Sequence, residues 1–155
     1  MKLRLLTPVP FVLAIIATIA IVLSGPVSAG RLDDADHGGM KITVTMTGAA
    51  ERPGPGDPDG TGTASFTFNS GQGEVCFSLE VSGIAPANAA HIHVAPATDP
   101  GPVVIPLIPP TDGSSSGCVA VDPELIKAIT KNPENYYVNV HNADFPPGAV
   151  RGQLG

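Results

Sequence analysis

Apolar and polar residues alternate through most of the chain from residue 41 onward. In "KITVTMT" (41–47), Ile42, Val44 and Met46 fall on one side and Lys41, Thr43 and Thr45 on the other. That period of two is the mark of a half-buried strand. "TASFTFN" (63–69) repeats the pattern through Ala64, Phe66 and Phe68. Ser70-Gly71-Gln72-Gly73 then turns the chain into "EVCFSLEVSG" (74–83), where Val75, Phe77, Leu79 and Val81 share a face. These two segments predict a hairpin. The stretch before it, "GAAERPGPGDPDGTG" (48–62), is a loop dense in Pro, Gly and Asp. "GCVAVD" (117–122) alternates through Val119 and Val121. One helix is predicted near 123–131: Asp122 can cap it, Pro123 suits the first helical position, and Glu124 complements the positive dipole end. Leu125, Ile126 and Ile129 form its apolar stripe, and Asn132-Pro133 ends it.

Two further strand pairs echo each other. His91-Ile92-His93 is followed by Pro100-Gly101-Pro102-Val103 and then Leu107. Asn139-Val140-His141 is followed by Pro147-Gly148-Ala149-Val150 and then Leu154. Read as structure, the echo means two similar hairpins. Read as composition, it is coincidence in a chain with 18 Gly and 17 Pro. Roughly seven to eight short strands separated by Pro/Gly turns predict an all-β antiparallel sandwich or barrel.

The N-terminus sets the expected compartment. Lys2 and Arg4 precede the apolar run "FVLAIIATIAIVL" (11–23), then Gly25-Pro26 and Val27-Ser28-Ala29. This predicts a secretory signal peptide, 1–29, cleaved after Ala29. The alternative is an uncleaved anchor, although Pro8 and Pro10 interrupt the run and leave it short for a bilayer. Residues 30–40, "GRLDDADHGGM", read as a flexible tail with His37 a solvated bystander, and residues 41–155 as one β domain. Loss of Lys2 and Arg4, with no acidic residue beside them, takes the formal charge from −6 to −8. A chain so acidic is unsuited to nucleic acid, and no membrane span is expected after cleavage. Cys76 and Cys118, an even count in an exported chain, read as one disulfide, with two reduced thiols as the alternative. Both are out of phase with the core residues around them, so a bridge outside the core is geometrically consistent.

"GTASFTFNSGQGEVCFSLEVSGI", "AAHIHVAPATDPGPVVIPL" and "SGCVAVDPELIKAITKNPENYYVNVHNADFPPGAVRGQL" together resemble the CHRD domain, the module repeated in the animal protein chordin and also found in small secreted bacterial proteins. The likeness spans about residues 41–155 and rests on the order of "AHIH", "GPVV", "YYVNVH" and "PPGAVRGQL". It implies a β-sandwich or barrel of immunoglobulin-like character and an extracellular module with no established enzymatic activity. Chordin's growth-factor binding does not transfer, because this sequence lacks that protein's cysteine-rich modules and fold analogy does not carry function.

The candidate chemistry lies in three histidines. His91 and His93 are two apart and share a strand face, opposite Ile92 and Val94. Asn139 and His141 share the face opposite Tyr136, Val138 and Val140. If the two strands are neighbours, His91, His93 and His141 converge, and three neutral imidazoles suit Zn²⁺ or Cu²⁺, with Asp99 or Asp144 as added ligands. The plainer reading makes them polar residues on an outer sheet face, hydrogen-bonded to loop backbone. The H-x-H pair is distantly reminiscent of copper/zinc superoxide dismutase, but that enzyme needs more histidines than the four here. No catalytic residue is nominated. Ser114-Ser115-Ser116 belongs to the flexible turn "TDGSSSG" without a nucleophile-elbow context, and "DPDG" (57–60) lacks the spacing of a calcium loop. Arg151 is expected to pair with an acid such as Glu80 or Asp144. The sequence thus predicts a secreted, non-catalytic binding or structural module. Its partner would be an extracellular protein or polysaccharide, with a surface three-histidine metal site as the alternative.

Overall fold

The computed structural model describes residues 38–155. The expected signal peptide and residues 30–37 of the expected tail lie outside them. Eight strands form: β1 (Met40–Thr47), β2 (Thr61–Asn69), β3 (Glu74–Ser82), β4 (Ala87–Val94), β5 (Val103–Leu107), β6 (Ser114–Ala120), β7 (Tyr136–Asn142) and β8 (Val150–Gln153). They make one antiparallel sheet in the order β5-β4-β7-β8-β1-β2-β3-β6. The sheet curls toward closure where Ser115 Oγ, on edge strand β6, donates to the carbonyl of Ile108, just past edge strand β5 (2.7 Å). The fold is all-β, as the alternation requires.

The alternating apolar residues make the core. Ile42, Met46, Ala64, Phe66, Phe68, Val75, Phe77 and Leu79 from β1–β3 meet Ala90, Ile92, Val138, Val140 and Val150 from β4, β7 and β8. One helix, α1 (Pro123–Lys131), adds Ile126 and Ile129, both buried. Its cap is the expected one: Asp122 Oδ1 accepts from the Glu124 N–H at 2.9 Å. Cys76 and Cys118 sit directly opposite each other on β3 and β6 and form the disulfide. The three serines of "TDGSSSG" correct an expectation. The turn is confined to the preceding residues, and Ser114 to Ser116 pair with Glu80, Leu79 and Ser78 as the start of β6.

The echoed sequence units are two antiparallel hairpins, β4–β5 and β7–β8. Strands β4 and β7 also pair with each other, so the two His-bearing strands are neighbours. The halves of the sheet join where β8 meets β1, with Thr47 opposite Arg151 and Gly152 against the Thr45 carbonyl.

Candidate metal centre

The registers align three short rows on the side of the sheet facing away from the core. His93 lies opposite Tyr137, and Tyr137 opposite Gln153. His91 lies opposite Asn139, and Asn139 opposite Arg151. His141 lies opposite the small Ala89. The alternation that sends Ile92, Val138 and Val140 inward sends these polar side chains outward.

Outward does not mean fully exposed: of the three histidines expected on the surface, His91 and His141 are half-buried and His93 is buried. His93 keeps 7% of its surface, Tyr137 2%, and Asn139 and Arg151 1% each. Two hairpin loops roof them. The 95–102 loop is tied down by Arg151, which donates to the carbonyls of Asp99 (3.0 Å) and Pro96 (2.9 Å). Gln153 Nε2 adds a bond to the Ala95 carbonyl (2.8 Å), and the Gly101 N–H reaches Tyr137 Oη (3.2 Å). Tyr137 stacks parallel to His93 at 4.7 Å and receives the Arg151 guanidinium 3.4 Å from its ring centroid. Arg151 therefore does not pair with Glu80 or Asp144. Its partners are loop carbonyls, the Gln153 side chain and a tyrosine ring, with the Glu51 carboxylate close enough for its charge to be felt.

Loop carbonyls set the histidine tautomers. His93 Nδ1 lies 2.8 Å from Gly101 O, and His141 Nδ1 lies 2.9 Å from Pro146 O. A carbonyl only accepts, so both Nδ1 atoms carry the proton and, in the neutral rings, both Nε2 atoms present a lone pair. His93 Nε2 is buried and has no hydrogen-bond partner. His141 Nε2 lies 3.2 Å from His91 Nδ1 and 2.9 Å from Asn139 Oδ1. One nitrogen from each of His91, His93 and His141 falls within 4.8 Å of the others. Asp99 and Asp144 are not part of this group. The Asp99 carboxylate instead accepts from its neighbour Thr98 (2.8 Å).

Burial shapes the electrostatics. Desolvation, then the like charges of His141 and His93, lowers the His91 pKa to about 4. Desolvation also lowers His93, against the opposing bond to Gly101. Glu51, 1% exposed, has its carboxyl pushed up by burial, partly offset by the Arg52 N–H and by the charge of Arg151. Its Oε2 has no partner, and it rests against Gly148, where a Cβ would collide with it. The sequence offered no sign of Glu51, which arrives from the Pro/Gly loop. Tyr137 was readable in principle, since it holds the same phase as Asn139 and His141.

The CHRD domain profile matches residues 42–154. The chain belongs to the CHRD family. The match spans all eight strands except the first residues of β1, so both His-bearing hairpins are part of the CHRD domain itself. Membership supports a non-enzymatic binding or structural module in general terms. Comparison with curated proteins and with solved structures finds no match. Among the described residues no helix is long and apolar enough to cross a membrane, and the disulfide is compatible with an oxidising compartment.

Proposed function

We propose that this CHRD chain is a secreted, non-catalytic binding module that uses the roofed histidine layer of β4, β7 and β8 to hold its ligand. The observation that carries the reading is His93 Nε2, a buried acceptor with no hydrogen-bond partner in the protein, gathered with nitrogens of His91 and His141. Native structures satisfy nearly every such atom, from the protein, an ordered water or a bound ion. The disulfide and the N-terminal pattern of Lys2, Arg4 and residues 11–29 support export.

Two measurements test this reading. Mass spectrometry of the full chain expressed with its own N-terminus is expected to find, outside the cytoplasm, a product beginning at Gly30. A thermal-shift panel of metal ions, polysaccharides and extracellular peptides is expected to contain a ligand whose shift disappears in the His91→Gln, His141→Gln double variant. A product retained in the cytoplasm, or a ligand indifferent to both substitutions, contradicts the reading.

A further inference from the structure

We propose that His91 Nδ1, His93 Nε2 and His141 Nε2 bind one borderline divalent transition-metal ion, Cu²⁺ or Zn²⁺, with Asn139 Oδ1 turned toward the same point. The inference deepens the binding-module reading and rests on it for the location of the site. Its first support is a count of protons. The Nδ1 protons of His93 and His141 are committed to Gly101 O and Pro146 O. With the Asn139 amide nitrogen directed at Pro147 O (3.5 Å), its Oδ1 faces His141 Nε2. Four lone-pair atoms then gather at one spot, and in neutral rings only His91 Nδ1 can carry a proton among them. A cation resolves that surplus of acceptors. The only proton that must move is that of His91, from Nδ1 to Nε2, on a ring still partly open to water. No proton is released overall.

The distances fit the ion. Metal–nitrogen bonds of about 2.0–2.1 Å at tetrahedral angles place ligand nitrogens about 3.3 Å apart. His91 Nδ1 and His141 Nε2 are 3.2 Å apart. The same geometry sets ring centroids about 5 Å apart. The observed separations are 5.1 Å for His91–His141, 5.5 Å for His91–His93 and 6.2 Å for His93–His141. His93 is thus the ring that must shift slightly inward. The outer contacts also match a metal site, where a ligating histidine donates its second N–H to a carbonyl that fixes ring orientation. His93 and His141 both do so. Three imidazole nitrogens with at most one amide oxygen select a borderline ion over Ca²⁺ or Mg²⁺, which prefer carboxylate-rich oxygen sites.

The test uses the full chain, stripped with chelator and dialysed against Cu²⁺ or Zn²⁺ alone. Elemental analysis is expected to return one equivalent per chain. The Cu²⁺ form is expected to show an electron paramagnetic resonance spectrum with coupling to three imidazole nitrogens. The His91→Gln, His141→Gln double variant, whose rings are only part-buried and whose folding is checked by circular dichroism, is expected to bind at least 100-fold more weakly. His37→Ala is expected to bind as the parent does. The proposal is overturned if the parent retains no metal, if the folded double variant retains it equally, or if His37→Ala abolishes it. Absence of metal together with another ligand whose thermal shift still needs His91 and His141 sinks the metal assignment and leaves the module reading standing.

Discussion

Arg151→Met removes the side chain that clamps the roof over the histidines. Arg151 is 1% exposed and makes three hydrogen bonds, two to the carbonyls of Pro96 and Asp99 and one to Gln153. Its guanidinium also lies on the Tyr137 ring. A hydrogen bond from a charged donor contributes about 1.5–3 kcal/mol, and a desolvated cation–π contact about 2 kcal/mol. Their full sum overstates the loss. Pro96 and Asp99 are exposed residues, so water can reach the freed carbonyls, and methionine escapes the cost of burying a charge. A net loss of roughly 3 kcal/mol is expected, seen as a lower urea midpoint with unchanged slope. For a domain of this size that is about 10–15 °C in Tm. Lysine cannot span two carbonyls with a planar fork, so Arg151→Lys should recover less than half. Amide exchange should rise across residues 95–102 and stay constant in β2 and β3. A loss under about 0.5 kcal/mol, or exchange that rises uniformly, would refute the reasoning that Arg151 holds this loop.

Three other outcomes follow from the same contacts. Replacing Cys76 and Cys118 together by Ala opens a loop of 42 residues and should cost about 4 kcal/mol by loop-closure entropy, measured by urea unfolding. In chelator-treated protein, His91, whose folded pKa is about 4, and His93, also lowered, bind fewer protons folded than unfolded. Stability should therefore be full above pH 6.5 and fall as pH drops from 6.5 toward 4, by roughly 1–2 kcal/mol after discounting for solvent screening at His91. Urea midpoints that stay flat across that range would contradict it. Gly148→Ala must displace the Glu51 carboxylate and hold alanine at φ +152°, so at least about 2 kcal/mol should be lost, read by thermal melting.

The strands and helix were legible because each buries one face, and alternation records that directly. The run from Val75 to Val81 and the cap at Asp122 needed no tertiary information. The echo of the His91 and His141 units correctly pointed to two hairpins, and pairing of β4 with β7 made their histidines neighbours. What alternation could not reveal was the second covering of that face. Tyr137, Asn139 and Arg151 look like solvent-facing residues in the sequence, but loops 95–102 and 143–149 fold back over them. Loop paths depend on turns and on long-range bonds such as Arg151 to Pro96 O, which leave no periodic trace. For the same reason the partners of Arg151 are not the acids that its charge suggests. A buried guanidinium can be satisfied by backbone oxygens, and residue type then says nothing about its partner. Glu51 was invisible because its position depends on the close approach of Gly148, which lies far along the chain on the other side of six strands.

Long-range ¹H–¹⁵N correlation spectra of the histidine side chains test the central claim most directly. In chelator-treated protein at pH 8, His93 and His141 should both appear as Nδ1–H tautomers, with Nε2 unprotonated. One equivalent of Zn²⁺ should then move both Nε2 signals together with Nδ1 of His91. Nε2–H tautomers at His93 and His141, or rings whose signals ignore the added ion, would contradict it.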